Sequence, residues 1–265
     1  MSRPLDSREW NAVAYDRHSK PQFHWGQKVL SQLSLCGDEC VLDAGCGSGR
    51  LTRILAEGLP SGCAVGLDLS RNMVQHARQN LADLGTQVAF VAADLAALPF
   101  DSCFNGIVST AAFHWVLDHD VLFANLFSAL RPNGWLHAQC GGGPNLARLR
   151  SRVKELASTP EFSPWLDGFR EPWFFSDAES AAARLRNAGF VDVETSLEEA
   201  PVHASGADEF QDYLRTFILH QHLELLPNLT ARTKFVDHLA AMHANDDPRW
   251  TLDYWRLNLL GRKPS

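Results

Sequence analysis

The sequence predicts an α/β fold, a mostly parallel sheet covered by helices on both faces. Two observations predict it. Short apolar runs recur at even spacing with helical periodicity between them, and a glycine-rich turn joins the first run directly to a helix. Composition agrees: 265 residues, 45% hydrophobic and 21% charged, are ordinary for a globular protein with a substantial core. The formal charge of 24 − 31 = −7 argues against a protein whose main task is gripping a phosphate backbone.

The chain opens with an aromatic segment, residues 8–34, of weak helical periodicity, broken at Gly37 and Asp38. Strands are predicted at 40–44, 63–67, 88–91, 106–109 and 135–139. Between them, 50–57 reads as a helix with Leu51, Ile54 and Leu55 on one face. Ser70 suits the N-cap of a helix running to Leu81, and 122–130 stacks Leu122, Leu126 and Leu130 four apart. Pro132, Asn133 and Gly134 read as a turn. Beyond Gly141 come a basic helix at 146–156, an aromatic loop punctuated by Pro160, Pro164 and Pro172, a helix at 178–188 and a sixth strand at 191–197. Residues 206–245 read as helical, and 250–260 as strand-like. The implied organisation is 1–36 as N-terminal lid helices, 37–200 as the core with an insert at 144–175, 201–248 as a helical insert, and 249–265 as a closing strand.

Six cysteines without a Cys-x-x-Cys pair point to reduced thiols. The N-terminus lacks the apolar run of a signal peptide, and no stretch of about 18 apolar residues occurs. A cytoplasmic protein without membrane contact is expected. The 11 histidines form no His-Glu-x-x-His motif, so no metal site is expected.

The most informative string runs from Val41 to Arg50, with Gly45, Gly47 and Gly49 alternating between strand and helix. Such a loop can bind a dinucleotide, bind another nucleoside, or be a tight turn. Its G-x-G-x-G spacing differs from the dinucleotide pattern, and no Gly-Lys-Ser/Thr follows. Asp43, two places before the first glycine, would repel a pyrophosphate but suit an ammonium group. Asp68 ends the second strand, 68 − 43 = 25 positions on, where a carboxylate can accept from both ribose hydroxyls. Asp94 follows the third strand, with Leu95 as an apolar neighbour, where an adenine amino group could be held.

Together these residues resemble the class I S-adenosylmethionine-dependent methyltransferases. The match covers Val41 to Gly49, Asp68, Ala93-Asp94 with Leu98-Pro99-Phe100, and Leu130 to Gly134, strongly over about 38–140. The resemblance implies a Rossmann-like seven-stranded mixed sheet in the order 3-2-1-4-5-7-6. It also implies S-adenosylmethionine as cofactor and S-adenosylhomocysteine as product. Asp43, Gly45, Cys46, Gly47 and Gly49 would hold the methionyl part, Asp68 and Leu69 the ribose side, and Asp94 and Leu95 the adenine, with Tyr15 and Ser109 completing the cofactor set.

Phe113-His114-Trp115-Val116 after the fourth strand, and the stretch from Trp10 to Asp16, are similar to the trans-aconitate and malonyl-carrier-protein methyltransferases. That similarity implies O-methylation of a small or carrier-bound acid. A carboxylate needs no base at neutral pH; a phenol or alcohol would, and His114 is then the catalytic candidate, or it packs beside Trp115. His18, Phe113, Trp115, Arg148, Tyr213 and Phe217 are the substrate-binding candidates. Arg148 and Arg152, four apart, are either carboxylate anchors or a solvated basic face. A phenol, alcohol or amine acceptor, and a non-catalytic cofactor-binding scaffold, stand as alternatives. Neither the charge nor the string after strand four favours a nucleic-acid substrate. A monomer or loose homodimer is expected.

Overall fold

The computed structural model describes Glu9, Trp10, Ala12, Tyr15, Asp16 and residues 19–265. His18 lies outside the described residues. The chain divides into two compact units. The first holds the described residues through Gly143 together with Trp173–Leu197 and Leu257–Ser265; the second holds Pro144–Pro172 and Glu198–Arg256.

In the first unit, helix α1 (Lys20–Ser31) precedes β1 (Cys40–Ala44), α2 (Arg50–Glu57), β2 (Cys63–Asp68), α3 (Arg71–Asn80), β3 (Val88–Ala92) and β4 (Phe104–Thr110). Helix α4 (His119–Ala129) leads into β5 (Leu130–Gly141). The predicted turn at Pro132 to Gly134 is part of that strand, which runs 12 residues. Two second-unit helices follow, α5 (Ala147–Ala157) and the short α6 (Ser163–Leu166), before α7 (Ala178–Asn187) and β6 (Val191–Glu199). The second unit continues with β7 (Val202–His203), α8 (Ala207–Tyr213), α9 (His220–Leu225), α10 (Leu229–His243) and β8 (Thr251–Leu252), and β9 (Trp255–Arg262) closes the chain.

The main sheet has seven strands in the order β3-β2-β1-β4-β5-β9-β6, the predicted 3-2-1-4-5-7-6 once the separate β7-β8 pair is set aside. Strands β3, β2, β1, β4 and β5 pair in parallel. Strand β9 runs against β5: Lys263 N–H donates to the Gly134 carbonyl, whereas Gln139 bonds Asn258, so partner numbers fall as β5 advances.

Alternation along β1 builds the core on both sheet faces. Leu42 and Ala44 join Ile107, Leu122, Phe123, Leu126 and Leu185 on one face. Val41 faces the other way, onto Leu55, Ala56 and Val29. Each such fully buried leucine contributes about 2 kcal/mol. The same alternation puts Asp43 on Val41's side, facing α2. Caps set the helix starts: the Ser70 hydroxyl accepts from Met73 N–H, Asp118 from Asp120 and Val121, and Asp177 from Ser180. The helix predicted across 206–245 is interrupted by a π-helical turn at Leu214–Ile218 and again before Asn228, which caps α10. Among the described residues no helix is long and apolar enough to cross a membrane.

Candidate active site

The loop after β1 is held from below. The N–H groups of Gly45 and Cys46 both donate to the Leu67 carbonyl at the end of β2. Gly45 has φ +90°, and a Cβ there would lie 2.2 Å from the Ala112 Cβ, so this position requires glycine on two counts. Gly47 also has positive φ, yet a Cβ on it would meet nothing within 4 Å. The loop therefore presents bare backbone to open space at Gly47, a cradle a ligand can enter. Tyr15, Gln22 and Thr110 line the same cleft as Gly45, Gly47 and Ser48. Gly49 caps α2.

Two carboxylates frame the loop. Asp43 is buried and accepts a 2.6 Å hydrogen bond from the Thr52 hydroxyl. Burial pushes its carboxyl up to about 6; the Thr52 bond opposes this and the nearby Asp68 charge adds to it. Asp68 accepts from Gly47 N–H through one oxygen and from Ser70 N–H through the other, both at 2.9 Å. A carboxylate has about four lone-pair sites, so two remain for a pair of hydroxyls. Burial again raises the Asp68 carboxyl, against those two backbone bonds. Leu69, next in the chain, is 41% exposed, an apolar surface available to a ring or ribose. Asp94 is half-buried, its Oδ1 accepting from Ala96 N–H.

Several predicted contacts are placed elsewhere. Leu95 is buried in the main core, because the 3₁₀ turn that Asp94 caps rotates it inward. Cys46 contributes backbone to the loop, while its side chain packs with Val74, Ala77 and Phe90. Ser109 is buried and donates to the Ala44 carbonyl at 2.6 Å, tying β4 to β1 rather than reaching into the cleft. Phe113 is fully buried against Phe123, so it does not face an acceptor.

His114 and Trp115 do lie together at the end of β4, where Ala111 adopts a left-handed conformation at φ 58°. The His114 ring packs on Trp115 and Phe175, and Trp115 on Trp10 and Trp173. Gly141 N–H donates to His114 Nδ1 at 3.3 Å. Nδ1 is thus the acceptor, and the neutral ring carries its proton on Nε2.

In the second unit Arg148 and Arg152 both meet a carboxylate of the chain itself. Arg152 makes a two-pronged pair with Asp246, at 2.8 and 2.6 Å. Arg148 lies 3.4 Å from the same carboxylate and donates to the Thr251 carbonyl. Tyr213 is buried, its hydroxyl 3.2 Å from that of Tyr254, and its ring packs on Phe217.

The N-terminal segment holds residues that the sequence reading left without a role. Asp16 accepts from the Ser48 hydroxyl and bonds His76. Glu9 accepts from the Ser70 hydroxyl and from Arg71 and Asn72 N–H. Arg50 reaches Ser19 and stacks over Phe23. The partners of Asp16 lie 32 and 60 positions along the chain, too far for a local pattern to show.

A family model described as a methyltransferase domain matches residues 41–134, which span the glycine loop, Asp68 and Asp94. The seven-stranded sheet has the class I methyltransferase order, and over this stretch the chain is similar to methyltransferase domains. A trans-aconitate 2-methyltransferase of Delftia acidovorans is 29% identical to it, over 97% of this chain and 99% of that one. A malonyl-[acyl-carrier protein] O-methyltransferase of Xylella fastidiosa is 29% identical over 58% of this chain and 53% of its own length. Among solved structures, the Haemonchus contortus phosphoethanolamine N-methyltransferase 2, in complex with S-adenosylhomocysteine, superposes with a TM-score of 0.61. It is 17% identical and covers 96% of this chain and 57% of its own, a likeness of fold. The class I fold implies S-adenosylmethionine binding. The bare Gly47 cradle and the two acids fit a ligand with a cationic methionyl part and a ribose.

Proposed function

We propose that this chain transfers the methyl group of S-adenosylmethionine to the carboxylate of a small or carrier-bound acid. The observation that carries the acceptor class is the hydrogen bond from Gly141 to His114 Nδ1. It makes Nε2 a donor, suited to hold a carboxylate oxygen and unsuited to take a proton. A carboxylate is ionised at neutral pH and asks for alignment rather than a base. The bound cofactor supplies a methyl group activated by its sulfonium.

The chain's own residues do the rest. Asp43, ionised, meets the cofactor's positive charge, and Asp68 accepts from its ribose hydroxyls. Leu69 covers its apolar side, and Asp94 accepts from the adenine amino group. Tyr15, which lines the cleft, covers the loop and excludes water. Trp115 orients the acceptor beside His114. The names of the relatives from Delftia acidovorans and Xylella fastidiosa support an acid as acceptor.

A phenol is the second reading, favoured by the aromatic surroundings of His114 in Trp115, Trp173 and Phe175 and by the engagement of both arginines with Asp246. A panel of small acids, carrier-bound acids and phenols, each incubated with S-adenosylmethionine, separates the two. Release of S-adenosylhomocysteine with acids, at a rate flat above neutral pH, is expected. Turnover with phenols alone, rising with pH, would replace the carboxylate reading. Cofactor binding without turnover on any acceptor would favour the non-catalytic scaffold.

A further inference from the structure

The described cysteines are not evenly scattered. Cys40 opens β1 and Cys63 opens β2, and the two are direct partners in the parallel register. Side chains of in-register partners point to the same side of the sheet, and neighbouring strands place Cα atoms about 5 Å apart, within the range a disulfide spans. The Sγ atoms lie 2.6 Å apart, with Cys63 donating to Cys40. Both residues are free thiols and only partly buried. Cys36 is exposed without such a partner, and Cys46 and Cys140 are buried.

We propose that Cys40 and Cys63 form a reversible oxidation site, closing to a cross-strand disulfide when the protein meets a peroxide. Burial pushes the Cys40 thiol up to about 12, with the Cys63 hydrogen bond and charge adding to the effect, so Cys40 stays protonated and is a poor first nucleophile. The Cys63 sulfur attacks one peroxide oxygen. The O–O bond breaks, and the departing hydroxide takes up the Cys63 thiol proton to leave as water. The Cys40 sulfur then displaces hydroxyl from the resulting sulfenic acid. The S–O bond breaks as the S–S bond forms, and the Cys40 proton leaves with the hydroxyl as a second water. Two thiols lose two electrons in all, and one peroxide becomes two waters.

The link would sit at the amino ends of β1 and β2. The glycine loop begins five residues further along, about 16 Å away. Closure therefore fastens two core strands and protects both sulfurs from irreversible oxidation without entering the cofactor cleft.

The test treats the full chain with hydrogen peroxide, then maps peptides by mass without reduction. The expected result is a link between the Cys40 and Cys63 peptides, formed in most of the protein before Cys46 or Cys140 reacts and removed by dithiothreitol. Cys40→Ser should convert the link into sulfenic and sulfinic acid at Cys63. Six thiols persisting after treatment, over-oxidised Cys63 in the wild type without a link, or a link from Cys40 to Cys103 instead, would overturn the proposal. The wild-type map decides the matter even where a variant folds poorly.

Discussion

Asp43→Asn should make the protein more stable and a weaker binder of its cofactor. The folded carboxyl titrates at about 6 against an ordinary 3.8, so the folded state holds its proton to higher pH than the unfolded chain does. Between those values the folded state binds more protons, and stability falls as pH rises through the window. The cost is complete above about pH 6 and corresponds to about 3 kcal/mol, undiminished by solvent because the group is buried. Asparagine keeps an oxygen to accept from Thr52 and removes the charge, while its buried amide returns about 1 kcal/mol of penalty. The expected net gain is about 1–2 kcal/mol at about pH 7.5; near pH 4, where the native carboxyl is already neutral, the gain is gone and the amide penalty leaves the variant slightly less stable. Urea unfolding at both pH values reads it. Calorimetry should show S-adenosylmethionine binding about ten-fold weaker in the variant, and in the wild type weakening as pH falls below about 6. A variant equally destabilised at both pH values would refute the reasoning, since the carboxylate would then be a net stabiliser at this site.

Gly47→Ala meets no atom but is strained by its left-handed φ of +53°, so it should lose about 1 kcal/mol of stability and bind cofactor less well; Gly45→Ala, strained likewise and also driven into Ala112, should lose more of both. Thermal melts and calorimetry on the pair distinguish the two causes. Asp246→Ala strands Arg148 and Arg152 around an emptied carboxylate position and should cost about 2–4 kcal/mol in urea unfolding. Arg152 holds the Asp246 carboxyl below its ordinary range, so this stabilisation is present at neutral pH and fades as acid protonates the group. His114→Ala should lower turnover by about 100-fold with cofactor affinity unchanged, as steady-state rates and calorimetry would report.

What the sequence made legible follows from locality. The glycine spacing with Asp43 before it, the strand end at Asp68 and the Ser70 cap are each marked by neighbouring residues in the chain, and strand alternation carries the sheet. The side chains whose roles changed have partners far along the chain. Arg152 meets Asp246 across 94 positions, and Ser109 meets the Ala44 carbonyl across 65. Neither pairing leaves a periodic signal. Phe113 and Leu95 turned inward because each sits in a single 3₁₀ turn, whose tighter rotation no apolar pattern of three residues can show. Strand β5 continues through Pro132, where turn-forming residues alone suggested a break.

The β1 loop and the two acids framing it are the proposed site for S-adenosylmethionine and its product. Calorimetric titration of S-adenosylhomocysteine into the wild type and into Asp68→Ala, with NAD as the control ligand, tests this most directly. Saturable binding to the wild type, a loss of about 1–3 kcal/mol in the variant and no heat with NAD are expected. Equal affinity in wild type and variant, or preference for NAD, would contradict the assignment of this loop.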